Sequence, residues 1–262
     1  MRIILLLGIL AIILTSIYGF SSPAKELLPP EGYVFEGPQD VSLTTRDNYT
    51  IAAAYFPSFS RRELIILHST GKGRDDNSPL AEFMQKKGFN VVTIALRGYG
   101  GSSNPAPDRD WGCCNRNDYY NMTYDVEAAK RFLGKQIPSI PFIKPAKISL
   151  VGSSLGTGVA MNYTQMDPSI EKVVLVSPLK EIRTIPVYEI VQEYKKPLMI
   201  VVGEKDGGTD DSPSPAADSK EIYNLSISKN KKYVGVEDSD LHAEELLNAN
   251  RFIFDEIYDF LR

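Results

Sequence analysis

The stretch Ser149–Gly158, "SLVGSSLGTG", places two adjacent serines between glycines at the point where one sequence pattern replaces another. The residues that lead into it form an apolar run, which predicts a buried strand over Ala146–Gly152. The residues that follow predict a helix over Leu155–Met166. A buried strand that turns directly into a helix is typical of parallel sheets, in which a crossover helix follows each strand.

The rest of the chain repeats this alternation of strand-like and helix-like segments. Continuous runs of Val, Ile and Leu predict an α/β fold with a mostly parallel sheet covered by helices on both faces. Ligands bind such sheets at the carboxyl ends of the strands, so the chemistry is expected in the loops that follow them. The predicted strands are 40–45, 49–56, 63–68, 90–96, 146–152, 171–177, 196–203 and 231–237, the first two forming a hairpin, and the predicted helices are 79–88, 119–133, 155–166, 216–225 and 244–261.

The composition is that of an ordinary globular domain. Of the 262 residues, 43% are hydrophobic and 24% are charged, and the formal net charge is -4. A mildly acidic chain without a basic run has no electrostatic attraction for nucleic acid, so no nucleic-acid partner is expected. We assign residues 40–262 to a single domain and residues 22–39 to an exposed N-terminal segment.

The first 21 residues differ from the rest. One arginine precedes an apolar run over Ile3–Ile17, and small residues follow at Gly19 and Ser21, as in a secretory signal peptide. The run is short for a transmembrane helix, which needs about 20 apolar residues. We therefore predict export, either secreted or periplasmic. The alternative is an uncleaved anchor through residues 3–20, which would make the membrane a partner.

The two cysteines, Cys113 and Cys114, are adjacent. In an exported protein an even number of cysteines suggests a disulfide. Neighbouring cysteines close only a small, strained ring, so reduced thiols and a bond between two chains remain alternatives.

The segment "GSSLG" fits the pattern G-x-S-x-G with Ser154 at its centre. A serine on a sharp turn between strand and helix has a strained backbone, and its hydroxyl projects above the sheet. The residues two before and two after it crowd each other, so both have to lack a side chain. Ser153 fits less well, because its corresponding neighbours are Val151 and Leu155. We predict that Ser154 is a catalytic nucleophile.

A serine nucleophile needs a base, and the base needs an orienting acid. His242, one of two histidines in the chain, lies in "EDSDLHAEELL" after the last strand, at the same edge of the sheet as Ser154. Asp206 directly follows the strand that ends in "VVG" and is the predicted acid. The order nucleophile, acid, base agrees with hydrolases that use this strand–turn–helix motif. Less favoured acids on the same two loops are Asp210, Asp211, Asp238 and Asp240.

The other histidine, His68, ends a buried strand before the loop "STGKG". A tetrahedral intermediate requires N–H donors directed at its oxyanion. We predict that the backbone N–H groups of Leu155 and Thr70 form this oxyanion hole. The predicted role of His68 is structural, holding the loop by hydrogen bonds.

Together these segments resemble the α/β-hydrolase superfamily, specifically its serine esterase and lipase-like branch. The resemblance covers about Val41 to Arg262 and rests on "LHSTGKG", "LRGYGGSS", "VGSSLG", "VVGEKD" and "DLHAE". It implies a mostly parallel sheet of about eight strands and no metal or organic cofactor. Two positions depart from the family pattern: Ser69 replaces the usual glycine after the loop histidine, and Ala243 follows the base, where many members have glycine.

Substrate size is inferred from the insertions. The segment between Ser177 and Lys196 has room for a short helix, so the cap is short or absent and no lid that opens at a lipid surface is expected. The longer insertion after the strand at 90–96 carries aromatic side chains that either line an acyl pocket or pack at the surface, namely Trp111, Tyr119 and Tyr120. An open, shallow site favours small or medium acyl esters.

Three functions fit these patterns. The first is an exported carboxylic-ester hydrolase that forms an acyl-enzyme on Ser154 and has a small-molecule ester as its partner. The second is an aminopeptidase-like serine peptidase, which needs a carboxylate to hold the substrate amine; Glu181 and Glu189 are candidates. The third is a non-catalytic binding protein, which is disfavoured because a binder has no need of all three triad residues.

Overall fold

The computed structural model describes residues 29–105, 114–136, 147–207 and 214–262. Some predictions fall outside these residues, namely the leader over residues 1–21 and those that concern Trp111, Cys113, Asp210 and Asp211. Cys114 takes part in a disulfide bond. Among the helices of the described residues, none has both the length and the apolar character needed to cross a membrane.

The described residues form an eight-stranded sheet, as the alternating pattern predicts. Its strands are β1 (Gln39–Thr44), β2 (Thr50–Phe56), β3 (Arg62–Leu67), β4 (Phe89–Ile94), β5 (Lys147–Ser153), β6 (Ile170–Val176), β7 (Leu198–Gly203) and β8 (Lys231–Val236). Their spatial order is β1-β2-β4-β3-β5-β6-β7-β8. β1 pairs with β2 and β2 with β4 in antiparallel fashion, and the other neighbours are parallel. The carboxyl ends of six parallel strands therefore lie at one edge.

Helices cover both faces of this sheet, which confirms the predicted layering. They are α1 (Ser78–Lys86), α2 (Arg116–Asn121), α3 (Thr123–Gln136), α4 (Leu155–Met166), α5 (Val187–Val191), α6 (Pro215–Leu225), α7 (Ala243–Ala249) and α8 (Phe252–Leu261). Apolar side chains of α1, α7 and α8 pack on one face of the sheet, and those of α2 to α6 pack on the other. The segment between β6 and β7 contains only the five-residue α5, so the predicted short cap is confirmed.

The predicted single helix over 244–261 is wrong, because α7 ends at Ala249 and α8 begins at Phe252. The side-chain amide of Asn250 donates to the carbonyl of Leu246 at 2.9 Å. The same oxygen still accepts the helical bond from the Asn250 N–H at 3.1 Å, and α7 ends because the backbone of Asn250 leaves the helical conformation, with φ −122° and ψ 76°.

The predicted helix over 119–133 is also divided, into α2 and α3. The Asn115 side chain accepts from the N–H groups of Asn117 and Asp118, and the Asp118 carboxylate accepts from the Asn115 N–H. This reciprocal arrangement is a capping box that starts a helix at Arg116. The pattern N-x-x-D over residues 115–118 was an available signal for this earlier start, but the prediction from apolar periodicity did not use it.

Arg97, from the segment "LRGYGGSS", is completely buried and joins three parts of the fold. Its guanidinium pairs at 2.7 Å with Asp125 of α3 and at 2.7 Å with Asp47 of the β1–β2 turn. Burial raises the pKa of Asp125 to about 6, while the Arg97 charge acts in the opposite direction and favours the carboxylate. The pair is therefore ionised at neutral pH, and it fixes the loop after β4 against the hairpin and α3.

Glu63 of β3 is a buried acid whose pKa affects stability. It is 1% exposed, and its Oε1 atom has no hydrogen-bond partner among the described residues. Burial raises the pKa of this carboxyl to about 7, and the charges of Lys130 and Arg61 offset only part of this effect. Since burial disfavours the ionised form, Glu63 is best accommodated when protonated.

We expect Glu63→Gln to stabilise the protein above pH 7 and to have little effect near pH 4.5. Because the folded-state pKa lies above the unfolded value, the contribution of Glu63 to stability is complete below about pH 4.5 and is lost as the pH rises through about 7. The difference in unfolding free energy between variant and wild type should reach about 3 kcal/mol at pH 8. Urea unfolding at several pH values measures it, and a difference independent of pH would contradict the prediction.

Candidate active site

Ser154 occupies the turn between β5 and α4 with φ 45° and ψ −107°, where residues other than glycine are rare. The turn requires neighbours without side chains. A Cβ on Gly152 would lie 2.3 Å from the carbonyl oxygen of Gly156, and a Cβ on Gly156 would lie 2.6 Å from that of Leu67. The crowding predicted from G-x-S-x-G is therefore present at this turn, and Ser154 lies above the edge of the sheet.

The two adjacent serines have different environments. Ser153 is the last residue of β5, is completely buried, and its hydroxyl has no hydrogen-bond partner among the described residues. Ser154 lines an open cleft. A nucleophile has to reach its substrate, so the placement favours Ser154 over Ser153, as the sequence does.

The structure brings His242 and Asp206 together from the ends of β8 and β7. The Nδ1 atom of His242 lies 2.8 Å from Oδ2 of Asp206. The Asp206 side chain is 5% exposed and that of His242 is 38% exposed. Because Nδ1 faces a carboxylate, it carries the proton of the neutral ring, which leaves Nε2 as the basic nitrogen. Both side chains line the same cleft as Ser154.

Contacts between neighbouring loops hold this pair in place. The Lys205 N–H donates to the Ser239 carbonyl at 2.8 Å, and a Cβ on Gly203 would lie 2.6 Å from that same oxygen. The Ser177 hydroxyl, at the end of β6, accepts from the Ala243 N–H at 3.0 Å. Ala243 has φ 51°, which explains why many family members have glycine here.

His68 holds the loop after β3 in the way predicted. Its Nε2 atom accepts from the Leu96 N–H at 2.9 Å, so Nδ1 carries the proton and donates to the Ser69 carbonyl at 2.6 Å. This tautomer is assigned from the two partners. Burial lowers the pKa of His68, so the ring is neutral and joins the loops after β3 and β4.

Glu244 is a residue of the site that sequence reasoning missed. Its buried carboxylate accepts from the Ser69 N–H at 2.8 Å, from the Ser69 hydroxyl at 2.5 Å and from the Asn77 amide at 3.4 Å. The first turn of α7, just after His242, is thereby tied to the loop after β3. The departure from the family pattern at Ser69 has a physical reason, since the hydroxyl has a carboxylate acceptor. The presence of Ser69 where the family has glycine was the available signal in the sequence, but it did not identify Glu244 as the partner.

The two predicted oxyanion donors are both at the cleft edge of the sheet. Thr70 lines the cleft and follows the tethered Ser69, and Leu155 is the first residue of α4. Within the described part of the chain, no protein acceptor takes a hydrogen bond from the backbone N–H of Thr70 or of Leu155. Free N–H groups at a helix start and an adjacent loop are suited to bind an oxyanion.

The cleft has a volume of about 720 Å³. Its apolar wall is formed by Leu179, Ile182 and Pro215. Its rim carries charges of both signs, from Glu181, Arg183, Lys205 and Asp240. Charged side chains therefore line the cleft, and the shallowness expected from the sequence stays a prediction.

Two of the aromatic residues of the long insertion, Tyr119 and Tyr120, contact the segment between β6 and β7. Among the described residues, Tyr119 and Tyr120 are not part of the cleft wall. Tyr119 is buried in the core, with its ring centre 5.7 Å from the Arg183 guanidinium, and the Tyr120 hydroxyl donates to the Thr184 carbonyl at 2.9 Å. Of the two alternatives drawn from the sequence, the structure favours packing for Tyr119 and Tyr120, and a role in an acyl pocket stays a prediction.

The remaining candidate acids differ in their position relative to the cleft and to His242. Glu181 lines the cleft, whereas Glu189 accepts from the Tyr188 hydroxyl outside it. Asp238 pairs with Lys205 at 2.7 Å on the protein surface. Asp206 is the acid that contacts the histidine. Across the part of the chain that is described, no group of three or more His, Cys, Asp or Glu side chains is arranged to hold a metal ion.

Comparison with known proteins agrees with this arrangement. A family model described as alpha/beta hydrolase fold matches residues 63–203, which is more than half of the 262 residues. A comparison with curated protein sequences finds no match.

Several solved structures share the architecture. The esterase Pf2001 of Pyrococcus furiosus is 20% identical with a TM-score of 0.67, over 90% of this chain and 98% of its own. A membrane phospholipase A, described as a bacterial virulence factor, is 14% identical with a TM-score of 0.65, over 86% of each chain. The alpha/beta hydrolase GrgF from Penicillium sp. sh18 is 16% identical with a TM-score of 0.66, over 86% of this chain and 98% of its own. At these identities the likeness concerns the fold alone.

Proposed function

This chain belongs to the alpha/beta hydrolase family, and from that premise we propose that it is a serine hydrolase that cleaves small or medium carboxylic esters. The observation that carries the proposal is the 2.8 Å contact between His242 Nδ1 and Asp206 Oδ2, in one cleft with the strained Ser154. A nucleophile, a base and an orienting acid in one cleft are the parts that acyl transfer needs.

In the proposed reaction, the Ser154 hydroxyl attacks the ester carbonyl carbon while Nε2 of His242 takes its proton. Asp206 holds the ring and stabilises the imidazolium. The N–H groups of Thr70 and Leu155 stabilise the oxyanion. The imidazolium then protonates the leaving alcohol, which leaves an acyl-enzyme. Water, deprotonated by the histidine, attacks the acyl carbon and releases the carboxylic acid with regeneration of the serine.

The proposed acyl length follows from the cap and the cleft. A lid that opens at a lipid surface needs an amphipathic element long enough to cover the site, and α5 has only five residues. Charged side chains occur around the cleft, and burying such groups beside a long acyl chain is costly unless they are paired. Short esters avoid this cost. The esterase among the structural neighbours supports ester substrates.

An aminopeptidase-like activity on the same triad is the second candidate. The observation in its favour is that Glu181 lines the cleft, where its carboxylate could hold a substrate amine.

The localisation of the protein is also a proposal. The apolar stretch within residues 1–21 supports export, with anchoring at a membrane as the alternative.

The test is hydrolysis of nitrophenyl esters from acetate to dodecanoate, below and above the critical micelle concentration of each, together with aminoacyl nitroanilides. We expect the highest kcat/KM for short acyl chains and no increase in rate when micelles form. An optimum at long chains, or a jump at micelle formation, would point to a lipase. Faster cleavage of the aminoacyl nitroanilides than of the esters, together with loss of that cleavage in Glu181→Gln, would point to the peptidase.

A further inference from the structure

We propose that Arg183 is a specificity-determining residue and that it selects esters carrying a second, negatively charged group such as a carboxylate. The inference rests on the proposed hydrolase function and adds the class of substrate. It predicts that the preferred ester is an anion and that the guanidinium binds this anionic group while Ser154 reacts with the ester carbonyl.

Arg183 lies close to the reacting groups, because it lines the cleft together with Ser154 and Thr70. An anionic group of a substrate that binds in this cleft can therefore reach the guanidinium.

Among the described residues, no carboxylate forms an ion pair with Arg183, although Glu181 and Asp240 also line the cleft. The other cation of the cleft, Lys205, already pairs with Asp238 at 2.7 Å. A guanidinium offers several donors in one plane and binds a carboxylate through two of them. Arg183 therefore has donors available for a ligand.

The backbone that presents the Arg183 side chain is a strained turn. Ile182 and Ile185 exchange two backbone hydrogen bonds, of 3.1 and 2.9 Å, so the two residues between them form a tight turn. Arg183 and Thr184 have φ values of 50° and 70°. Such turns favour asparagine and glycine, and a β-branched threonine with positive φ is an outlier. Strain of this kind persists where the surrounding structure enforces it, and it is concentrated at functional sites.

This turn is fixed against the helix that follows the nucleophile. Ile182 packs against Gly158 of α4, where a Cβ would lie 2.5 Å from the Ile182 Cγ2 atom. The Tyr120 hydroxyl holds the Thr184 carbonyl at 2.9 Å, and the Tyr119 ring lies beneath the guanidinium. Because Gly158, two residues beyond the G-x-S-x-G pattern, has no side chain, the turn that carries Arg183 can approach α4, the helix that begins after Ser154. The backbone at Arg183 is therefore fixed against the helix that follows Ser154.

The experiment compares matched esters that differ in one charge. On the acyl side, the nitrophenyl monoester of glutaric acid is compared with nitrophenyl valerate; on the alcohol side, acetoxybenzoate is compared with its methyl ester. Rates are measured with wild type, Arg183→Gln, Arg183→Lys and the control Lys180→Gln. Lys180 belongs to the same segment, but its ammonium is already bonded to Glu221 at 3.0 Å.

We expect the anionic ester to be preferred in at least one pair. Arg183→Gln should lower kcat/KM for that ester by about 10- to 100-fold, the loss typical of a charge-assisted hydrogen bond, with little change for its neutral partner. Arg183→Lys should retain part of the preference, and Lys180→Gln all of it.

Three results would overturn the inference. One is a preference for the neutral ester in both pairs, and another is an unchanged ratio in Arg183→Gln. The third is an equal loss for both esters of a pair, which would indicate that the substitution disturbs the turn. After any of these three results, hydrolysis of the neutral esters would still support the proposed hydrolase function. If wild type hydrolyses none of the four esters, both the hydrolase proposal and the inference fail.

Discussion

Ser154→Ala is expected to lower kcat/KM for ester hydrolysis by about 10⁶-fold, as loss of a triad serine does, while Ser153→Ala keeps activity close to that of wild type. The neighbouring serines make a matched pair, because the same hydroxyl is removed at adjacent positions. Ser154 lies in the cleft at the strained turn, and Ser153 is buried at the end of β5. Removing the Ser153 hydroxyl also removes a buried group without a hydrogen-bond partner among the described residues, so no loss of stability is expected.

Two measurements test the Ser154 prediction independently of the natural substrate. A fluorophosphonate probe should label wild type and Ser153→Ala, and mass spectrometry should locate the label on Ser154. Thermal unfolding of each variant shows whether loss of labelling reflects the missing nucleophile or a folding defect. Labelling of a well-folded Ser154→Ala variant at the wild-type rate would refute the assignment.

Asp206→Asn is expected to lower kcat by about 10⁴-fold with a much smaller change in KM. The 2.8 Å contact shows that the Asp206 carboxylate accepts from Nδ1 of His242. An asparagine amide can present its N–H₂ group to Nδ1 instead, which would leave the proton on Nε2, the nitrogen proposed to act as the base. Loss of the negative charge also removes stabilisation of the imidazolium that forms during the reaction. The predicted defect is therefore in the chemical step.

Asp238→Asn is the matched control for this prediction. Asp238 lies on the same loop as His242, but its carboxylate pairs with Lys205 at the surface and not with the histidine. Activity of this variant should remain within a few-fold of wild type. Asp210→Asn and Asp211→Asn complete the series. If either of these were the variant that loses about four orders of magnitude while Asp206→Asn remained active, the acid would be misassigned.

The sequence predicts the fold well because the signals are local and redundant. Each buried strand of the parallel sheet has its own run of Val, Ile and Leu, and the helix bounds mostly follow their apolar periodicity. The errors occur at helix ends where an asparagine side chain forms hydrogen bonds with the local backbone. Asn250 interrupts the predicted last helix, and Asn115 begins a helix earlier than predicted. The apolar periodicity of the sequence indicates neither the helix end at Asn250 nor the helix start after Asn115.

The candidate triad could also be read from the sequence, since strand ends in a parallel sheet converge on one edge. That rule places the loops of Ser154, Asp206 and His242 together without any knowledge of side-chain geometry. The acid that contacts the histidine was selected in the sequence by position, since Asp206 lies three residues after β7 and is closer to that strand than Asp210 and Asp211. The aromatic insertion gave no such constraint, and Tyr119 and Tyr120 contact the segment between β6 and β7.

By itself the sequence determined the strand–helix alternation, the strained serine turn and the edge of the sheet where the site lies, because these depend on short-range sterics and apolar periodicity. Only the tertiary structure decided the partnerships between distant residues. Glu244 meets Ser69 across 175 positions of the chain, and Arg97 is buried between two acids from separate elements. The exposed Arg183 owes its place in the cleft to the packing of Ile182 against Gly158. A hydrogen bond or an ion pair depends on a few tenths of an ångström and on angle, and such distances are set when the layers pack together.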